Sequence, residues 1–348
     1  MIDLLPSADQ QAVADEATRL LGSLIDFTNS KELTEESLYS PDLVRRCAEQ
    51  GWFALALGEA EGGVGLSVAE EVLVFREAGR HLAPLSLIAS ALSARVASLA
   101  GAPAVRDAFV DGSEVPCFGQ VGPDGEQVTL IGLSHGSGRS WVLVLCRDRR
   151  SVLLARVEPS GLNRLRSIDP LVTLSRTDAV PEPEDGLVLT GHDAAAVVNH
   201  GRMLLAAYQS GVAEAVRDMS AAYARQRVQF GSPIGAFQAV KHRCADMAVR
   251  AEAAWCQTAF AATTYGIDGF DPQFEAAAAK YNASVAAIGN TRDNIQNHGA
   301  IGYTSEHPAH LFLGRAHVAD RLFGDLRAEL DDLVPECRVA GSEAVSHR

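Results

Sequence analysis

Two arginines and two aromatic residues flank a tight turn in an acidic chain. The stretch YARQRVQFGSPIGAFQ spans residues 223–238, and its Gly231 and Pro233 interrupt a helical pattern. Arg227 at a helix end can form paired hydrogen bonds with a phosphate. Phe230 can lie flat against an aromatic ring. These residue types fit a ligand that carries phosphate and rings, but a helix–helix connection with a charged rim would also contain them.

A second stretch, DNIQNHGAIGYTSEHPAH (residues 293–310), has a similar character. The pattern predicts a helix that carries Gln296 and ends at the glycines of HGAIG. Bare backbone at such a helix end can approach a ligand closely. Here too a plain connection between helices is the alternative.

Other motifs give no complete site. The loop HGSGRS (135–140) does not complete a phosphate-binding Walker pattern, and the glycines at 62, 63 and 65 fail G-x-G-x-x-G. No carboxylate or cysteine completes a ligand set for His298, His307, His310 and His317. We therefore predict no metal site and expect these histidines to lie on or within a helical bundle.

Composition restricts the class of protein. The chain has 348 residues, 47% hydrophobic and 21% charged, with a formal net charge of −14. This charge argues against nucleic acid or an anionic membrane surface as a partner. Six scattered cysteines without a C-x-x-C pair, and an N-terminus without signal-peptide features, predict a cytoplasmic protein with reduced thiols.

The elements that must position these residues follow in the order helix, sheet, helix. The fold class is mostly α with a small central β domain. We predict an N-terminal helical domain (1–114), a shortened barrel-like β domain (115–192) and a C-terminal four-helix bundle (193–348). The four bundle helices are expected near 197–227, 236–265, 272–297 and 308–332. A β-hairpin is expected within 141–157.

Three stretches together resemble the acyl-CoA dehydrogenase family of flavoenzymes. Residues 223–238 are similar to the family's Tyr-x-x-x-Arg-x-Gln-Phe-Gly-x-Pro-Ile-x-x-Phe-Gln signature. IQNHGAIGYT resembles Gln-x-His-Gly-Gly-x-Gly-Tyr-Thr, with Ala300 in place of one glycine. GWFALALGEAEGGVGLSVAEEVLVFREAGR (51–80) resembles the family's Gly-Trp, Glu-x-x-Gly-Gly-x-Gly and Glu-x-Gly-Arg pattern. The resemblance follows the family's domain order along the chain.

The resemblance implies FAD as a cofactor shared across a subunit interface, because these motifs reach into a neighbouring subunit in that family. It implies that Arg227 pairs with the pyrophosphate. It assigns contacts with the flavin and adenine rings, and polar or backbone contacts from the second stretch, to Gln229, Phe230, Ile234, Phe237, Gln296, Gly299 and Ala300. It also implies an acyl-CoA substrate and an electron-transfer flavoprotein as acceptor.

The chain departs from the family where the chemistry would occur. The Thr-Glu-Pro-x-x-Gly-Ser-Asp segment, which holds the flavin ring in the family, is replaced by VPCFGQVGPDGEQVTLIG (115–132). The reaction also needs a carboxylate base that removes the α-proton of the thioester. The family's two glutamate positions correspond to Gly201 and Phe323, so we predict no catalytic residue in this chain. Asp320 and Asp325 are possible substitutes, with solvated surface acids as the alternative.

These losses predict the non-catalytic subunit of a heteromeric (α2β2) acyl-CoA dehydrogenase, of the kind known from steroid side-chain degradation. A homologous subunit with the missing segment and glutamate would be its catalytic partner. Two alternatives stay open: a self-sufficient homo-oligomeric dehydrogenase with a displaced base, and a cofactor-free scaffold or acyl-CoA-binding protein.

Overall fold

A computed structural model gives the arrangement of most of the chain. It describes residues 3–28, 30–39, 42–122, 125, 127–133, 139–145, 151–158, 162–178, 181 and 186–334.

The first third of the described chain is helical, as predicted. Its helices are α1 (Ala8–Leu24), α2 (Glu35–Leu38), α3 (Asp42–Glu49), α4 (Val68–Arg80), α5 (Ser86–Leu99) and α6 (Pro103–Val110). Local signals set their ends: α1 begins with a capping box in which Ser7 and Gln10 bond each other's backbone, and Ser67 and Glu70 do the same for α4. The five-residue core of α5, from Leu87 to Ala91, is buried on every side, so this helix lies inside the region.

The middle region is a mixed β-sheet. Its strands are β1 (Cys117–Val121), β2 (Val128–Ile131), β3 (Ser140–Leu145), β4 (Ser151–Val157), β5 (Asn163–Leu165), β6 (Leu174–Thr177) and β7 (Leu187–Thr190). The strand order is β5-β6-β2-β1-β3-β4-β7, with only β1 and β3 parallel among these pairs. The predicted hairpin is confirmed by the antiparallel pairing of β3 with β4. The sequence predicts a barrel-like domain. The described strands form one seven-stranded sheet in which β5 and β7 are the edge strands.

The last third is helical again. It contains α7 (Gly191–Gln226), α8 (Gln238–Thr264), α9 (Pro272–His298), α10 (Ala309–Arg321) and α11 (Leu326–Leu333), with a short hairpin of β8 (Val228–Gln229) and β9 (Ser232–Pro233) between α7 and α8. Helix α7 is the central element, because it packs against α4, α5, α8, α9 and α10. At its crossing with α4, a Cβ on Gly211 would overlap the carbonyl oxygen of Arg76. The two helices therefore approach to backbone contact.

The fourth predicted bundle helix, 308–332, is wrong as a single element. Helix α10 ends at Arg321, and α11 begins at Leu326. Between them Phe323 and Gly324 have φ angles of +61° and +121°, which a right-handed helix cannot contain. The side chain of Asp325 then accepts a hydrogen bond from the backbone N–H of Ala328 and caps the new helix.

None of the described helices is long and apolar enough to cross a membrane.

Candidate functional site

The first predicted stretch forms a short arm, which we define as residues 227–237. Helix α7 ends when the backbone N–H of Arg227 donates to the carbonyl oxygen of Tyr223 (2.9 Å). The chain then turns back through Phe230 and Gly231, both with positive φ (51° and 78°). A two-residue hairpin loop of type I′ requires positive φ at both central positions. Ile234 closes the loop by donating its N–H to the carbonyl oxygen of Arg227 (2.8 Å).

The arm presents its functional side chains outward. Phe230 is 94% exposed and forms an edge-to-face pair with Phe237, with 6.1 Å between ring centroids. Arg227 and Gln229 are also exposed, and Ile234 is half-buried. Among the described residues, none accepts a hydrogen bond from the Arg227 guanidinium. The same short hairpin thus carries an exposed aromatic ring and an exposed guanidinium.

The second predicted stretch is the carboxyl end of α9. Gln296 and Ala300 are exposed there, and Gly299 is half-buried with a φ of +64°. Its backbone N–H still donates to carbonyl oxygens of the last helical turn. Ile301 and Tyr303 follow, with 42% and 75% of their surface exposed. The helix end therefore exposes the side chains of Gln296 and Ala300 to solvent.

The structure brings the two stretches to the same end of the bundle. Tyr223 of α7 stacks on His298 of α9, with ring centroids 4.3 Å apart and an interplanar angle of 26°. Just below, the hydroxyl of Ser220 donates to the side chain of Asn294 at 2.9 Å. The residues that the sequence assigns to one ligand thus extend from adjoining helix ends.

The two expected base positions also meet, although 122 residues of sequence separate them. A Cβ on Gly201 would overlap the Cε1 and Cζ atoms of Phe323 and would lie 3.0 Å from the side chain of Leu92. The ring of Phe323 is 5% exposed and contacts Phe118 of β1 edge-on, with centroids 5.7 Å apart. An aromatic side chain thus fills the space between the two positions where a carboxylate is expected.

Buried charges hold the turn that carries Phe323. The ammonium of Lys280 on α9 donates to the carbonyl oxygens of Asp320 (3.2 Å) and Gly324 (3.4 Å) on either side of it. Arg202, next to Gly201, pairs with Glu329 of α11 at 3.1 Å. Both of these side chains are fully buried, so the pair anchors α11 against α7.

Of the two acids considered as substitutes for the base, Asp325 is hydrogen-bonded and Asp320 is buried. Asp325 caps α11 and pairs with Arg321 at 3.2 Å. Asp320 is only 6% exposed, so its interpretation as a solvated surface acid is wrong. It is one of the buried residues of α10, and its backbone carbonyl oxygen accepts a hydrogen bond from the buried Lys280 ammonium at 3.2 Å.

The histidines lie within the bundle end. His298 is buried, and its ring lies 4.3 Å from that of His307. Burial lowers the pKa of His298, and burial with two neighbouring imidazoles lowers the pKa of His307 to about 4. In the part of the chain that the structure describes, no group of three or more His, Cys, Asp or Glu side chains could hold a metal ion.

Two other stretches named from the sequence have different outcomes. Residues 135–138 of the HGSGRS loop lie outside the described residues. The stretch that replaces the flavin-ring segment forms the antiparallel strands β1 and β2.

Comparison with known proteins identifies the family. Residues 7–112 match the acyl-CoA dehydrogenase N-terminal domain, and residues 192–330 match its C-terminal domain. The chain belongs to the acyl-CoA dehydrogenase family.

Several relatives of this acyl-CoA dehydrogenase homologue are informative. It is 36% identical to FadE34 of Mycobacterium tuberculosis over 77% of this chain, but it spans only 38% of the length of that relative. It is 30% identical to the acyl-CoA dehydrogenase IpdE2 of Mycolicibacterium smegmatis, covering 86% of this chain and 88% of IpdE2. Among solved structures it resembles the Tcur3481-Tcur3483 steroid ACAD G363A variant, with a TM-score of 0.75 and 25% identity over 93% of this chain and 96% of that one.

The family is flavin-dependent, and the residues of this chain fit FAD in part. The exposed Arg227 guanidinium suits a pyrophosphate, and the exposed Phe230 suits a ring system. Both point away from their own chain. The Phe323 ring occupies the space that a side chain on Gly201 would take.

The sequence did not single out three residues that shape this site. Tyr223 joins the two stretches, Lys280 holds the Phe323 turn, and Arg202 anchors α11. One signal was available for Lys280, because it is a lone cation on the alanine-rich side of α9 (AAAAKYNAS). A buried lysine there needs oxygen partners, but the sequence does not show which ones.

Proposed function

We propose that this chain is the non-catalytic subunit of a heteromeric, FAD-dependent acyl-CoA dehydrogenase. It completes the FAD site of a homologous catalytic partner in an α2β2 assembly. The substrate is an acyl-CoA thioester, and the reaction introduces an α,β double bond. An electron-transfer flavoprotein is the proposed electron acceptor.

The contact between Phe323 and Gly201 carries the proposal. The reaction requires a carboxylate within hydrogen-bond reach of the substrate α-carbon. Each of the two family positions for it lacks an acid, and the Phe323 ring packs where a side chain on Gly201 would project. A glutamate at either position would require this buried ring to be removed or displaced. The packing supports a chain that lacks a catalytic carboxylate here, rather than one that uses a neighbouring acid as the base.

The arm supports the other half of the proposal. In the assembly, Arg227 pairs with the FAD pyrophosphate, and Gln229, Phe230, Ile234 and Phe237 contact its ring systems. Gln296, Gly299 and Ala300 add polar and backbone contacts from the end of α9. FAD held there would supply the acceptor for the hydride of the β-carbon. Because these side chains face outward, a ligand held by a second chain could reach all of them.

Two of the relatives favour a partner. The steroid ACAD structure carries the names of two proteins, Tcur3481 and Tcur3483. FadE34 is long enough to contain a second region of comparable length, since this chain spans 38% of it. Both observations support a functional unit that contains more than one copy of this fold.

Expression of the chain with and without a partner tests the proposal. The partner should be a homologue that has the Gly-Ser-Asp segment and the glutamate. We expect flavin absorbance and acyl-CoA turnover from the co-expressed complex and neither from this chain alone. FAD binding and turnover by the single chain would contradict the proposal.

Replacement of Arg227 tests the arm. In the co-expressed complex, Arg227→Ala removes charge-assisted hydrogen bonds worth about 1.5–3 kcal/mol each, so FAD should bind roughly tenfold or more weakly. FAD occupancy is measured as flavin absorbance per complex after gel filtration. The matched control is Arg225→Ala, which removes an exposed arginine of the same helix end whose guanidinium bonds the carbonyl oxygen of Ala221. Equal occupancy in the two variants would remove Arg227 from the site.

A further inference from the structure

Three aromatic side chains form a column between the two FAD-directed segments. Tyr223 stacks on His298, and the ring of His307 packs against His298 at a tilt of 40°, each pair with 4.3 Å between ring centroids. We call Tyr223, His298 and His307 the aromatic column. The first comes from α7, the second from α9 and the third from the connection before α10.

Hydrogen bonds fix the orientation of both imidazoles. The Nδ1 atom of His298 lies 2.8 Å from the carbonyl oxygen of Asn294, so it must carry the proton. Its Nε2 atom is then a bare acceptor, and it is buried without a hydrogen-bond partner in the described chain. The Nδ1 atom of His307 accepts the N–H of Ala309 at 3.2 Å, so its proton sits on Nε2. Contacts between the rings therefore link the members of the column.

The column adjoins both segments through the backbone. The carbonyl oxygen of Tyr223 accepts the N–H of Arg227, which begins the arm. His298 immediately precedes Gly299 and lies two residues after Gln296. Displacing either stacked ring would therefore shift a residue that we assign to FAD.

We propose that Tyr223, His298 and His307 are positioning residues that hold the arm and the end of α9 at the spacing one FAD molecule requires. This inference rests on the proposed function, and it adds residues that do not themselves contact the ligand.

Other bonds at this end hold the helices and not the arm. Ser220 of α7 bonds Asn294, and Arg243 of α8 bonds Asn297 at 3.0 Å. These contacts lie within the helices that precede or follow the arm. The column is therefore separable from them by mutation.

Paired variants of Tyr223 test the column. Tyr223→Phe keeps the stacked ring, whereas Tyr223→Leu keeps an apolar side chain and loses the stacking. Amide hydrogen exchange of the full-length chain alone is measured first, because it needs no FAD. We expect Tyr223→Leu to accelerate amide exchange roughly fivefold to tenfold in residues 228–234 and 299–304. We expect Tyr223→Phe to leave the exchange rates unchanged. Ser220→Ala is the control, and its effect should stay within α7 and α9.

FAD retention by the co-expressed complex is measured second. Tyr223→Leu should lower retention several-fold, and Tyr223→Phe should retain the wild-type value. Unchanged exchange at 228–234 in Tyr223→Leu would contradict the claim that the aromatic column holds the arm, whether or not the complex binds FAD. Faster exchange together with unchanged FAD retention would overturn its role in positioning FAD. Faster exchange in a complex whose wild type lacks FAD would instead contradict the proposed function and leave the column established as a structural link.

Discussion

At the scale of single residues, Gly201 and Phe323 occupy one space. Glycine in the middle of α7 normally costs about 1 kcal/mol relative to alanine. Here alanine would overlap the ring of Phe323, and overpacking of this kind typically costs about 1–3 kcal/mol. We therefore expect Gly201→Ala to destabilise the wild-type chain. In a Phe323→Ala background the same change should be neutral or stabilising by up to ~1 kcal/mol. Urea unfolding of the four proteins measures this difference.

Gly211→Ala provides the control for this comparison of the Gly201 and Phe323 variants. A Cβ on Gly211 would overlap the backbone carbonyl of Arg76 on α4, which a change at position 323 cannot relieve. Its cost should therefore be similar in both backgrounds. A Gly201→Ala effect with the same sign and size in both backgrounds would show that the two residues do not share this space.

The sequence reveals only part of this arrangement. It shows that two positions lack a glutamate, because each can be compared with a motif beside it. It does not show that Phe323 adopts a positive φ and turns inward, since the contacts that hold it come from Lys280 and Arg202, distant in the chain. Likewise, Arg227 and Phe230 can be recognised in the sequence, whereas their exposure depends on the fold of the arm.

At the scale of elements, helices are predictable where local signals agree, and their interruptions are not. Helices α7, α8 and α9 lie near their predicted segments because periodic apolar residues, capping groups and glycines mark them. The break between α10 and α11 was missed because Leu322 and Phe323 continue the apolar pattern. Gly324 and the N-cap Asp325 are local signals for the break, and the buried Lys280 holds the turn between the two helices.

The connection between α9 and α10 should be sensitive to pH. Burial lowers the pKa of His307 from its ordinary 6.5 to about 4, so the unfolded chain binds this proton more readily than the folded chain. The stabilising contribution is complete above pH 6.5 and is lost progressively as the pH falls toward 4. For one group the slope is at most ~1.4 kcal/mol per pH unit, and partial exposure of His307 reduces it.

His307→Phe isolates this contribution, because phenylalanine can stack but cannot take a proton. We expect the free energy of unfolding of the wild type to fall more steeply between pH 7 and pH 5 than that of the variant, as measured by urea unfolding at each pH. His192→Gln, which removes an exposed imidazole near the start of α7, should follow the wild type. Parallel curves for wild type and His307→Phe would rule out His307 as the source.

At the scale of the whole molecule, one buried arginine joins all three regions. Arg315 of α10 pairs with Asp169 of the middle region (2.6 Å), and both side chains are fully buried. Its guanidinium also donates to the carbonyl oxygen of Ala83 (2.8 Å) and the hydroxyl of Tyr39 (2.9 Å) in the N-terminal region. The order of the regions was predictable from the sequence. This junction was not, since an arginine in an amphipathic helix is usually solvated.

Replacing Arg315 should uncouple the regions. Arg315→Met leaves the Asp169 carboxylate buried without its charge partner, a loss of about 3–5 kcal/mol. The chain has three tryptophans, and Trp52, Trp141 and Trp255 lie in the N-terminal, middle and C-terminal regions respectively. Variants that keep one tryptophan each therefore report on one region each. We expect their urea transitions to coincide in the wild-type background and to separate after Arg315→Met.

Two further variants decide whether this effect is specific to the junction. Arg217→Met removes a partly exposed arginine of α7 that pairs with its neighbour Asp218, and it should cost no more than about 1 kcal/mol and leave the transitions coincident. Arg315→Lys keeps the charge, but an ammonium cannot reproduce the fork that reaches Asp169, Ala83 and Tyr39 together. It should therefore resemble Arg315→Met more than the wild type. Coincident transitions in Arg315→Met would mean that apolar packing alone couples the three regions, and that the buried charge is incidental to their cooperation.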